Sequence, residues 1–528
     1  IPSEIGKLTD LQELDFGAND FTSDPYPATG SPVPSATSNP SAEFAYSAFS
    51  LPTEIWQLTN LQTFRFHENE LSSLPTEIGQ LTSLQILDLY TNELSSIPTE
   101  IGRLTSLQSI RLDENFISSL PKEISQLTSL QKIDLYANNL STFPTDITKL
   151  SSLVDLFMHR NKISSIPTEI GQLTSLQNLL FGQNRISSIP TEIRYLASLR
   201  VLFLDGNDLE SIPTDFGKLS NLTYLNLSRN NLSSLPSEIG QLTRLEKLML
   251  DVNKLASIPA EIGQLTKLQN LHLVGNMLSY IPTEIRYLTS LQILDLYDNA
   301  LTKIPKEIGQ LLNLQNLRLY DNQLSSIPTI IGRLTSLQNL QLNDNQLSFI
   351  PEEIGLLTNL EKLAIDGNQL QSIPRDIGQL TRLQVLYADR NELSSVPTGM
   401  WHLTNLQDLN LGENQLISIA TDIGKFANLK DLDLGENQLS SIPTEIGDLK
   451  NLRSLYLNGN RLKTLPSEIG QLSTLERLYL DNNEIASLPS EIGQLTNLRR
   501  LYYGGNNITS DDFPQELVVL CSAISCRG

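Results

Sequence analysis

The segment LQILDLYTNEL, residues 84–94, sets leucine at 84, 87, 89 and 94 with mostly polar residues between. Its centre, 86–90, alternates with period two. That predicts a short strand with Leu87 and Leu89 turned inward and Ile86, Asp88 and Tyr90 outward. The stretch before it, LPTEIGQL at 74–81, carries Ile78 and Leu81 three apart, which puts both on one side of a helical turn facing the same core. Residues 74–96 thus form a unit of 23, with one copy at 1–23 and twenty more at 51–510 without insertion or deletion. So strict a period overrides the usual expectation of several domains for 528 residues and predicts a single solenoid. The array is interrupted by an insert, 24–50, and followed by a tail, 511–528.

One asparagine follows the strand in every copy, from Asn19 and Asn69 to Asn483 and Asn506. Its amide can satisfy backbone groups where the chain leaves the strand, so the column is expected to be structural. Each repeat alone buries too little to fold, and stacking on neighbours must supply the rest. The twenty-one LxxLxLxxNxL matches resemble the leucine-rich repeat family over about nine-tenths of the chain. The 23-residue period and the LPxEIGxL half are similar to Ras-group and bacterial repeats, and LSSIPTEIGQL to plant-type extracellular ones with one residue missing. The resemblance implies an α/β fold: a curved right-handed solenoid with parallel strands on its concave face and short helical turns on its convex face. It also implies a non-catalytic scaffold that binds a protein or peptide ligand on that concave face.

The central outward position of each strand is therefore the one to read for a ligand. It begins Asp15, Arg65, Asp88, Arg111, Asp134, an alternation expected to neutralise itself across adjacent strands. Phe157, Leu180 and Phe203 follow. Since Leu156, Leu179 and Leu202 already point inward, no core requires them, and they predict an exposed apolar strip about 10 Å long by strand spacing. Val201, Tyr224 and Met249 extend it. Tyr456, Tyr479 and Tyr502, flanked by Arg477 and Arg500, form a second candidate binding surface. Asp389, Asp408, Glu413, Asp431, Asp433 and Glu436 make an acidic stretch, read as a solvated face ahead of a site for a basic partner or calcium. Trp56 and Trp401, where most repeats have Gly, are read as local packing.

The net charge is −22, much of it from Glu or Asp at the fourth position of the unit, where a turn beginning after proline favours a carboxylate. Nucleic acid is not expected as a partner, because phosphate binding needs clustered Lys and Arg. No apolar run approaches the roughly 20 residues of a membrane helix. LVVLCSAI at 517–524 is the longest candidate, and it is too short. Cys521 and Cys526, the sole cysteines, predict a disulfide-stapled cap and an extracellular or cell-surface setting, with the cytoplasm as the alternative. Asn139, Asn221, Asn226, Asn231 and Asn507 stand in glycosylation sequons, Asn226 beside the apolar strip.

The insert is rich in Pro, Ser and Ala and reads as a linker-like loop, with Phe44, Tyr46 and Phe49 at its distal end. FPQELVVL at 513–520 reads as a final half repeat once Asp511 and Asp512 are skipped. The chain begins at the first position of a repeat, which predicts an open sheet edge met by a missing cap or by another copy of the chain. Self-assembly into a structural or adhesive array is accordingly the alternative function. Catalysis is not expected, and neither is a cofactor. His67, His159, His272 and His402 lie in separate repeats, and no hydrolase, zinc or phosphate-loop motif occurs.

Overall fold

The computed structural model describes residues 3–18, 51–508 and 525–527. They fall into two compact units, Ile1–Leu232 and Ser233–Gly528, although the 23-residue period runs through the boundary unchanged. Among the described residues the first unit holds nine strands of three residues, beginning with Glu13–Asp15 and Thr63–Arg65 and ending with Val201–Phe203 and Tyr224–Asn226. The second holds thirteen, from Lys247–Met249 to Arg500–Tyr502 and Ser525–Arg527. Within each unit consecutive strands pair in parallel, Leu87 with Ile110 in the first and Leu271 with Leu294 in the second.

Two offsets depart from the period. Glu13 pairs with Thr63 and Asp15 with Arg65, so the sheet keeps its register across the insert. Arg500 pairs with Ser525 and Leu501 with Cys526, two residues beyond the regular offset. The tail therefore supplies a further strand after its half repeat, with Cys526 at the inward position normally held by leucine.

The helical half of each unit is a tight 3-10 turn such as Thr76–Gln80. Ile78 N–H donates to Pro75 O at 3.2 Å and Leu81 N–H to Ile78 O at 3.1 Å. With three residues per turn, Ile78 and Leu81 eclipse one another and both face the core. Ile78, Leu81, Leu84, Leu87 and Leu89 are fully buried. A Cβ on Gly79 would lie 2.9 Å from Glu100 Cβ, so glycine at this position lets successive turns stack closely.

The asparagine column is the second structural spine. Asn184 Nδ2 donates to Met158 O and Phe181 O, both at 3.0 Å, and its Oδ1 accepts Ile163 N–H at 3.0 Å. Asn460 repeats the pattern in the second unit, with Leu434 O at 2.9 Å, Leu457 O at 3.1 Å and Leu439 N–H at 2.9 Å. Each side chain thus joins its own turn to the repeat before it. The residue preceding the asparagine lies in the left-handed region, at φ 54° for Gln183 and for Val252 and φ 63° for Gly206.

Candidate functional site

The register brings the expected strip together. Phe157 pairs with Leu180 and Leu180 with Phe203, while Val201 pairs with Tyr224 on the flanking column. All five are half-buried, and the Phe203 and Tyr224 rings meet edge to face at 4.7 Å. At the near end Lys132 Nζ sits 5.3 Å from the Phe157 ring centroid, a cation–π contact. On the flanking column Asn178 Nδ2 donates to Asp155 Oδ1 at 2.6 Å. Met249 belongs to the second unit, where it pairs with His272.

The alternating charges before the strip pair as their signs require, with one exception. Arg65 binds Glu13 and lies 3.7 Å from Asp15, and Arg111 lies 3.5 Å from Asp88 and 3.3 Å from Asp113. Asp134, next to Phe157 in register, forms no ion pair among the described residues. Burial pushes its carboxyl up to about 6, and the nearby Asp113 adds to the rise.

The second unit carries a denser charge network on and beside the corresponding columns. Asp295 is almost fully buried between His272 Nδ1 at 2.9 Å and Arg318 Nη1 at 2.9 Å. Arg390 joins three carboxylates, Asp344 at 2.8 Å, Asp366 at 3.0 Å and Asp389 at 3.4 Å. Burial, then the neighbouring Asp389, pushes Asp366 up to about 6 despite that arginine. Asp408 accepts the Tyr387 hydroxyl at 2.7 Å and Asp433 accepts Gly435 N–H at 2.8 Å. Among the described residues no three carboxylate, imidazole or thiol groups converge closely enough to hold a metal ion.

Tyr456, Tyr479 and Tyr502 form a true stack. Successive rings are 4.6 and 4.9 Å apart, with planes within 9° and 6° of parallel. Arg527, in register with Tyr502, lies over its ring at 5.8 Å. Arg477 and Arg500 pair with one another in register on the flanking column, Arg477 half-buried and Arg500 exposed.

A family model described as a leucine-rich repeat region matches residues 110–208, 179–280, 260–348, 340–434 and 417–522. The chain belongs to the leucine-rich repeat family. No curated protein sequence matches this leucine-rich repeat protein. Among solved structures it is similar to the plant peptide hormone receptor RGFR1, solved in complex with RGF2. There the identity is 32% and the TM-score 0.76, over 100% of this chain and 87% of that one. The Arabidopsis receptor kinase HAESA, in complex with the peptide hormone IDA and the co-receptor SERK1, is 26% identical at a TM-score of 0.68, covering 96% and 90%. A leucine-rich repeat protein of Leptospira interrogans is 36% identical at 0.58, covering 84% and 95%.

The remaining sequence candidates occupy plain surroundings in the leucine-rich repeat protein. Trp56 is 1% exposed against Phe64 at 6.1 Å, and Trp401 is 4% exposed against Phe426 at 5.4 Å, so both pack. His67 stacks on Tyr90 and His159 on Tyr136, while His402 Nδ1 contacts Gly399 O at 3.1 Å. Asn139 and Asn507 are exposed; Asn221, Asn226 and Asn231 are half-buried, and Asn226 Oδ1 accepts Ser228 N–H at 3.1 Å. Phe44, Tyr46, Phe49 and Cys521 lie outside the described residues. Among the described residues no helix is long and apolar enough to cross a membrane. Sequence reading missed the left-handed residue before each asparagine and the convergence of three carboxylates on Arg390. Glycine at 206, 275, 367, 459 and 505 was the available signal for the first.

Proposed function

We propose that this chain is a non-catalytic recognition scaffold that binds a protein or peptide ligand on the sheet face, centred on Phe157, Leu180 and Phe203. The observation that carries the reading is the adjacency of three apolar side chains at an outward position that no core needs. A contiguous apolar surface left partly open on an outward face is the kind that marks contact sites. Support comes also from RGFR1 and HAESA, whose solved complexes hold peptide hormones. An extracellular setting with a Cys521–Cys526 disulfide belongs to the same reading. Thiol labelling of the denatured chain then detects no thiol before reduction and two after.

The test compares the intact chain with a variant carrying Phe157→Asp, Leu180→Asp and Phe203→Asp as baits on extract from the native source. The expected result is a partner retained by the intact chain and weakened at least about tenfold by the variant, with both melting alike. Identical retention by both baits removes the strip from consideration. Filaments that grow with concentration would instead favour assembly through the edge of strand Glu13–Asp15.

A further inference from the structure

We propose that the stacked tyrosines at the end of the second unit, with the arginines beside them, form a separate docking surface for an acidic peptide segment. The proposal deepens the reading of the sheet face as a ligand-binding surface, and it assigns one region of that face a ligand chemistry.

Arg477 and Arg500 stand side by side in register, and neither forms an ion pair among the described residues. That contrasts with Arg65, Arg111, Arg318 and Arg390, each of which is held by carboxylates. On the next column the three tyrosine rings are locked parallel, so their hydroxyls form a row at roughly the 4.8 Å strand spacing. No protein hydrogen bond occupies those three hydroxyls among the described residues. Arg527 continues the row over Tyr502. Two free guanidiniums, a third at the end and a line of phenol donors are a carboxylate-binding surface.

Charge complementarity selects the occupant. In a chain of net charge −22, this is a place where the sheet face offers unpaired positive charge. The preceding strand, Asp431–Asp433, sets two carboxylates beside Ser454 and Tyr456 in register. A long polyanion such as single-stranded nucleic acid would run into that acidic border, whereas a short acidic segment fits between it and Arg527. The rigid stack adds an aromatic surface on which the segment's apolar side chains can lie at small entropic cost.

The experiment uses the full chain and an array of synthetic 12-residue peptides in three sets: Asp/Glu with one aromatic, the same with Asn/Gln, and Lys/Arg with one aromatic. The expected result is retention of acidic members alone, weakened at least tenfold by Arg477→Gln with Arg500→Gln and partly restored by Lys at both positions. Tyr479→Leu weakens binding less, and higher salt weakens it steeply. The Phe157→Asp, Leu180→Asp, Phe203→Asp variant keeps this binding, which separates failure of the strip from failure of this surface. Equal binding by the arginine variant, or no preference for acidic over amide peptides, overturns the proposal. Tighter binding of an oligothymidylate, or a mass that rises with protein concentration and is lost in the arginine variant, overturns it in favour of nucleic acid or self-association.

Discussion

Phe157–Leu180–Phe203 in the first unit and Tyr456–Tyr479–Tyr502 in the second occupy the same strand position in three consecutive repeats, yet they differ as surfaces. The first triplet interposes a leucine, and its one ring contact among the described residues is edge to face with Tyr224 on the neighbouring column. The second is a parallel stack. Their flanks differ as well. Asn178 donates to Asp155 beside the first, while beside the second Arg477 and Arg500 form no ion pair among the described residues. Identical backbone geometry therefore leaves the chemistry of the face to two side-chain columns: one sets shape, and its neighbour sets polarity.

The scaffold beneath both triplets should be equally strong, and the largest expected effect measures it. Asn184→Ala and Asn460→Ala each strip a buried rung of three donated bonds and one accepted bond. Each should cost about 2–4 kcal/mol locally, by leaving several backbone groups unpaired. Faster amide exchange in peptides containing Ile163 and Leu439 checks this. Unequal losses would show that the two units are not built alike.

A smaller effect separates the charge economies. Asp134 and Asp366 both have carboxyls raised to about 6 by burial, so the folded state favours the protonated form of each. That stability is present below the unfolded value near 4 and is lost as pH rises through about 6. Asp134→Asn should therefore stabilise the chain at pH 7.5, by about 1 kcal/mol after allowance for solvent screening, and have no effect at pH 4. Asp366→Asn should gain less, because it gives up the contact with Arg390 at 3.0 Å. Thermal melts at the two pH values decide it, and a gain from Asp134→Asn at pH 4 would contradict the assignment.

Stacking can be moved from one triplet to the other. Tyr479→Leu removes both ring contacts of the ladder and should cost about 1 kcal/mol, whereas Leu180→Phe places a third ring in the strip and should recover a fraction of that. The smallest effect concerns the left-handed position, held by glycine at 206 in the first unit and at 275, 367, 459 and 505 in the second, but by β-branched Val252 in one repeat of the second. Val252→Gly should stabilise by about 0.5 kcal/mol, relief of strain outweighing the added freedom of the unfolded chain. A lower melting temperature would refute it.

Much of this was legible because a 23-residue period maps each position to one direction in space. Leu87 and Leu89 could be placed inward, and Phe157, Leu180 and Phe203 side by side, without coordinates. The 3-10 character of the turn was legible only as a three-residue spacing between Ile78 and Leu81. Features that run diagonally between repeats were not legible. Arg390 reaches Asp344 two repeats back in its own column and Asp366 and Asp389 in the column before it, and that depends on side-chain reach rather than register. By its place in the alternating column Asp134 should share the neutrality of its neighbours. Arg111 turns instead toward Asp88 and Asp113 and forms no ion pair with Asp134 among the described residues. The final strand escaped notice because Asp511 and Asp512 shift Cys526 out of the expected frame.

The pairing of Glu13 with Thr63 has a consequence for how such a chain can change over time. Because the hydrogen-bond partners on either side of the insert are those of an unbroken array, length at that seam is uncoupled from the sheet. Closing a loop twice as long would add only about 0.6 kcal/mol of chain entropy. The seam is thus a port at which new sequence can be acquired, tested and discarded while every rank beyond it keeps its face.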